Sequence, residues 1–326
     1  MSKKSVDELL TAMREGKPRE RGLTIVSDYF GPMSDDLLEQ TADYIDYVMV
    51  GLCIPLMVDR SKLLERTRHY HDLGIKVMSE GVLLQVSVQR GIVSRVLEML
   101  RTLGFDFVGV SGFTGEMPIE AKKALLEEIT KFSMDYVFGV GRKDSKGMAS
   151  SAYMVSKIQE AVELKSRKVI IEAGEEGTGA GLYDPRRKFS WDVLNEVVGR
   201  FGPPNLIFEA PRISQRTALI LEFGPAVNLS SVPIDGVLTL EMQRLGLTPE
   251  TFGLSRPVQS VGGSPAAKFV YHLIKSEHPI NQAALIQRSG LPKRTLQSAL
   301  GYLVDYGFIR EVPEASDMRR LKYTIR

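Results

Sequence analysis

The sequence predicts an α/β protein: an eight-stranded (β/α)8 barrel of the TIM type, followed by a small winged helix-turn-helix domain. Three observations carry that reading. Eight short apolar, β-branched runs alternate with longer segments of helical period; no GxGxxG follows the first run; and the basic last sixty or so residues lie beyond a break ending in Gly-Gly. Eight β-then-α units in about 225 residues is the arithmetic of a closed parallel barrel. A doubly wound open sheet is the alternative, because alternation alone does not show closure.

The elements follow in order. Residues 1–20 read as a polar helix and lead-in. The strand candidates are GLTIVS (22–27), YIDYVMVG (44–51), IKVMSEG (75–81), FDFVGVSG (105–112), YVFGVGR (136–142), KVIIEAG (168–174), LIFEAP (206–211) and AVNLSS (226–231). Between them, DRSKLLERTRHYHDLG and IEAKKALLEEITKF space apolar residues at i, i+3 and i+4, as a helix packed on one face requires. VPIDGVLTLEMQRLGL supplies the eighth helix and closes the barrel at 251. Residues 252–263, FGLSRPVQSVGG, break the helical period and form a linker. From 264 to 326, AAKFVYHLIKS, QAALIQRSG and LPKRTLQSALGYLVDYG read as three helices, and FIREVPEASDMRRLKYTIR as strand, wing and strand.

Composition narrows the function classes. The 326 residues suffice for one large domain and one small one. No apolar run is long enough to span a membrane and the N-terminus has no signal-peptide core, so a cytoplasmic protein is expected. Cys53 is the single cysteine and His69, His71, His272 and His278 have no zinc-ligand spacing, which excludes an intramolecular disulfide and a CxxC site. The net charge of +2 hides an asymmetry: residues 264–326 hold ten Lys and Arg against five acids, on a mildly acidic body. Different partners for the two parts follow, with duplex DNA expected for the tail. Arg294, Thr295, Gln297 and Ser298 open its third helix, where helix-turn-helix proteins read base edges, and Arg319, Arg320 and Lys322 flank the wing for phosphate contact. Winged helices also dock proteins, which is the competing use.

At GLTIVSDYF, DYIDYVMVG, VIIEAGEEGTGAGLYD, LIFEAP and FGPAVNL, over roughly residues 20–252, the barrel resembles the phosphosulfolactate synthase family. The resemblance implies a (β/α)8 fold and the magnesium-dependent addition of sulfite to phosphoenolpyruvate, so that Mg²⁺ is the expected cofactor and a small phosphorylated or sulfonated acid the expected partner. It places catalytic roles on Asp28, Lys143 and Glu172, with Lys143 the proton donor after the fifth strand. Asp28, Glu172 and Glu209 become the metal ligands, since hard oxygens suit that ion. Arg142, Glu175, Asn228 and Arg212 would contact the ligand, and Gly177 and Gly179 would cradle a phosphate with backbone N–H groups. All of these are expected at or beyond the C-terminal ends of strands, where barrel enzymes work.

The sequence also departs from the family pattern. Met49 stands where the family has a lysine, Gln85 replaces a glutamate, and Ser79, Glu80, Gly81 and Val82 replace a Pro-Gly-Gly-Thr turn. Gly109, Gly112 and Gly139 replace acids, and Gly174 replaces an arginine. Sulfite and a phosphate ester repel one another, so lost cations cost rate, by factors of about 10²–10³ each. Two functions remain open: a lyase-type enzyme on a small phosphorylated or sulfonated acid, or a ligand-sensing regulator whose barrel no longer turns over. A homo-oligomer is expected in either case, because paired recognition helices match pseudo-palindromic sites.

Overall fold

The computed structural model describes residues 15–32, 34–111, 117–141, 149–173, 182–184, 189–252, 264–305, 308–314 and 317–325, the side chains of 305, 314 and 317–320 excepted. The chain divides into two compact units, Met1–Leu254 and Ser255–Arg326.

In the first unit, eight strands pair in sequence order into a closed barrel: β1 (Thr24–Asp28), β2 (Tyr47–Val50), β3 (Lys76–Ser79), β4 (Phe107–Ser111), β5 (Asp135–Val140), β6 (Val169–Ile171), β7 (Leu206–Glu209) and β8 (Asn228–Val232). Every pairing in it is parallel, including β8 back onto β1, so the open-sheet alternative is excluded. Successive residues of a strand face opposite sides, and the sequence exploits this twice. Ile25, Met49, Met78, Phe107, Val137, Ile170 and Ile207 fill the barrel interior. Their neighbours Val26, Val48, Val77, Val108 and Phe208 point outward and pack with Leu38, Leu63, Leu97 and Leu126 of the surrounding helices. Strands buried on both faces explain the nearly continuous apolar runs.

The helices start where the sequence offers caps: Ser34, Asp59 and Ser150 each accept a backbone N–H of their first turn. The segment between β3 and β4 holds two helices, Gly81–Gln89 and Val93–Thr102, with the positive-φ Gly91 between them. The expected second strand is shorter than its apolar run, because Ala42–Tyr44 winds into a 3-10 turn first. Among the described residues no helix is long and apolar enough to cross a membrane.

The second unit has its own core, built on Val270, Ile274, Leu285, Leu296, Leu300, Leu303 and Tyr323. Its helices are Pro265–Glu277, Gln282–Ser289 and Lys293–Asp305. A three-stranded antiparallel sheet accompanies them, formed by β9 (Ile280–Asn281), β10 (Ile309–Glu314) and β11 (Asp317–Ile325) in the order β10-β11-β9. Asn281 caps the second helix, and Gly290, at φ +65°, ends it in the left-handed conformation that glycine adopts without strain.

Candidate active site

Parallel β/α units bring all the C-terminal strand ends to one face of a barrel. There a cleft of about 300 Å³ opens over Met49, Met78 and Ile170 of the interior. Three carboxylates line it: Glu80 just past β3, Glu172 just past β6 and Glu209 at the end of β7. Among the described residues, no lysine or arginine lines it.

Two of the acids accept backbone N–H groups. The Glu209 carboxylate accepts the Ala173 N–H at 2.6 Å, which ties β7 to the residue following Glu172. The Glu209 carbonyl accepts the hydroxyl of the fully buried Tyr183 at 2.8 Å, and burial beside Glu209 raises the Tyr183 pKa well above that of free tyrosine, so it stays a donor. Arg216, also fully buried, donates to the carbonyls of Ala210 and Pro211 and fixes the turn leaving β7. Glu80 accepts the Leu52 N–H at 2.5 Å, joining the β2 loop to the β3 end. Neither Tyr183 nor Arg216 has a local signature in the sequence, since both act through backbone carbonyls.

Glycines shape the same cleft. The Glu172 side chain lies over Gly139 of β5, and a Cβ there would sit 3.0 Å from the Glu172 Cδ. A Cβ on Gly109 would lie 2.6 Å from both the Ser79 carbonyl oxygen and the Gly81 nitrogen, so the start of the Gly81–Gln89 helix rests directly on β4. The two glycines differ in what a side chain would displace, a mobile carboxylate in one case and backbone in the other. Gly139→Ala is therefore expected to cost no more than about 1 kcal/mol of stability while swinging Glu172 out of place. Paired melting and ligand-titration curves check this, with a lowered ligand affinity at near-normal stability as the expected result.

Several expected positions move. Asp28 ends β1 but does not join Glu172 and Glu209 in a metal group: among the described residues no three His, Cys, Asp or Glu side chains could hold an ion. Its Oδ2 accepts the Tyr70 hydroxyl at 2.8 Å and pairs with Arg66 at 3.0 Å, and its Oδ1 accepts the N–H of Phe30, whose φ is +60°. Arg66 in turn reaches the Gly31 carbonyl and lies 4.8 Å from the Phe30 ring centroid. Asp28 is thus the anchor of the β1 loop. The Arg66 and Tyr70 spacing of four on one helix was the available signal.

Asn228 is a second correction. It opens β8 instead of ending it, so it lies at the N-terminal end of the barrel. Its amide is consumed there, accepting from Leu23 N and donating to Pro204 and Leu206 carbonyls. Arg212 follows β7 as the half-buried N-cap of the Ile213–Phe223 helix, its backbone N–H donating to the Gln215 side chain. Arg142, Lys143, Glu175, Gly177 and Gly179 lie outside the described residues.

In the second unit, Arg294, Thr295, Gln297 and Ser298 are exposed on the Lys293–Asp305 helix. Lys322, expected to flank the wing, stands on β11 opposite Val312 and Asn281. The side chains of Arg319 and Arg320 lie outside the described set.

Residues 12–250 match the family model for (2R)-phospho-3-sulfolactate synthase (ComA). The chain belongs to the phosphosulfolactate synthase family. It is 32% identical to the phosphosulfolactate synthase of Methanocaldococcus jannaschii over 238 residues, covering 72% of this chain and 95% of that protein. Against the Methanothermobacter thermautotrophicus synthase it is 30% identical over 250 residues, 76% of this chain and 97% of the other. The Bacillus subtilis synthase gives 30% over 249 residues, 74% and 96%. The barrel therefore places this chain in a carbon–sulfur lyase family. Six positions that the sequence reading set apart from the family pattern (Met49, Ser79, Glu80, Gly81, Gly109 and Gly139) line the described cleft.

Proposed function

We propose that the barrel keeps the ligand class of the phosphosulfolactate synthase family, a small phosphorylated or sulfonated carboxylic acid, held at the C-terminal strand ends. The observation that carries this reading is the cleft over Glu172 and Glu209 in a barrel matched to the family from end to end.

Three carboxylates repel an anionic ligand, so positive charge must accompany it. Arg142 and Lys143 follow β5 and would supply part of it. Mg²⁺ would supply the rest. It needs only one or two carboxylates beside water and ligand oxygens, and Glu172 and Glu209 are the residues that would hold it. When bound, the ion would offset the charge of phosphate and carboxylate. Lys143 would deliver a proton to the carbanionic carbon of an enolate-like intermediate, and Glu209, through Ala173, would keep Glu172 in place.

The test is a melting series of the full chain with phosphoenolpyruvate, phosphosulfolactate, sulfopyruvate and sulfite, with and without Mg²⁺. A ligand at a hundred times its Kd adds about 2.7 kcal/mol, a rise of roughly 5–10 °C for a barrel of this size. The rise is expected only with Mg²⁺ present. No rise with any of the acids in either condition sinks the reading.

A second reading concerns the C-terminal unit. Its helix–strand–helix–helix–strand–strand order and basic composition support a winged helix that binds duplex DNA. On that reading the barrel senses its ligand for the DNA-binding unit, and a homo-oligomer would present two such helices. Met49 and Gly174, in place of lysine and arginine, favour binding over turnover. Phosphoenolpyruvate and sulfite consumed at enzymatic rates would decide for the enzyme, and Lys143→Ala should then abolish the rate at unchanged stability.

A further inference from the structure

The Lys293–Asp305 helix has an apolar face that its own unit explains and a polar face that it does not. Leu296, Ala299, Leu300 and Leu303 are buried in the core. Arg294, Gln297, Ser298 and Gly301 fall at i, i+3, i+4 and i+7, on the opposite face, and all four are exposed. Gly301 is the unusual member. Glycine is the poorest helix-interior residue after proline. Here it has an ordinary helical φ, and a Cβ added to it would meet nothing within 4 Å. Among the described residues of its unit, neither backbone geometry nor packing calls for it.

The same face is electrostatically unsatisfied. Lys293 and Arg294 stand in the first turn, at the positive end of the helix dipole, with no acid beside them. Among the described residues, neither has an ion-pair or hydrogen-bond partner. From 293 to 301 the exposed side of the helix carries no large apolar residue, so it lacks the aromatic or aliphatic anchor of a protein interface.

We infer that Gly301 is a clearance residue, the point at which the wall of a DNA major groove comes into van der Waals contact with this helix. The inference rests on the DNA-binding reading above. A helix with side chains is about 10–12 Å across and the major groove about 12 Å wide, so the fit is tight along the helix. Arg294 and Gln297 reach base edges from the first turns, and the helix can seat deeply enough for them only where its middle is bare. Lys293 finds in the phosphates the negative charge that its surroundings do not give it, and Arg294 finds it in the acceptor atoms of a base edge.

The experiment uses the full chain, a pool of labelled random-sequence 30-base-pair duplexes, and salt titrations of wild type, Gly301→Ala and Arg294→Ala. Alanine improves helix propensity, so Gly301→Ala should raise the melting of the C-terminal unit, by about 4 °C. It should nevertheless weaken duplex binding by roughly tenfold or more, the worth of one good base contact. Its salt slope should stay that of wild type, because no phosphate contact is removed. Duplex binding by Gly301→Ala equal to wild type overturns the clearance role and leaves the DNA reading standing. A lower melting temperature for Gly301→Ala also overturns it, since the glycine would then serve the fold. No duplex binding by wild type at low salt overturns both, and makes the unit a protein-docking module.

Discussion

Asp28→Ala is expected to lower the stability of the barrel by about 3–5 kcal/mol, the cost of removing one partner of a buried ion pair. The Asp28 side chain is 2% exposed and that of Arg66 18%, so little water replaces what is lost. The fully buried Tyr70 hydroxyl would lose its acceptor as well. Its pKa is raised, first by burial and then by the Asp28 charge, so at neutral pH it remains a donor in need of one. Phe30 would lose the hydrogen bond that accompanies its left-handed backbone, a conformation costly outside glycine. The measurement is thermal melting with and without phosphoenolpyruvate and Mg²⁺. The expected result is a barrel transition lowered by roughly 10 °C with the ligand-induced rise retained. The opposite pattern, normal melting with the rise abolished, would return Asp28 to the ligand site.

Gly109→Ala should be comparably damaging for a different reason. The added Cβ would sit within 2.6 Å of the backbone of both Ser79 and Gly81, and backbone cannot rotate away as a side chain does. Overpacking of this kind costs about 3 kcal/mol, more if β3 and β4 separate. Gly139→Ala provides the internal comparison, since it meets only the movable Glu172 side chain. Equal melting of the two variants would show that the β3–β4 contact is not tight and that the cleft has room on that side. A large difference would show that the cleft's width is set there by main chain, which confines adaptable recognition to the β5–β7 side.

Much of this protein was legible in its sequence. Alternation of apolar runs with helical periods is local, and once eight units are counted the right-handed parallel crossover rule leaves few topologies. That logic put Glu172 and Glu209 on one face, because both close their strand runs. It also separated a basic tail from an acidic body. What the sequence could not determine were the partners. AVNLSS shows a strand, but only the pairing of β7 with β8, which sets Asn228 beside Ile207 and Ser230 beside Glu209, reveals that Asn228 stands at its start and holds other strands together. Asp28 has the residue type and place of a metal ligand, yet Arg66 and Tyr70, about forty residues on, take its carboxylate. Gly109 reads as a lost acid until the approach of Gly81 shows that backbone fills its space. Periodicity fixes which face a side chain occupies. Which groups meet there depends on register, strand ends and the approach of distant segments, and those exist only once the barrel has closed.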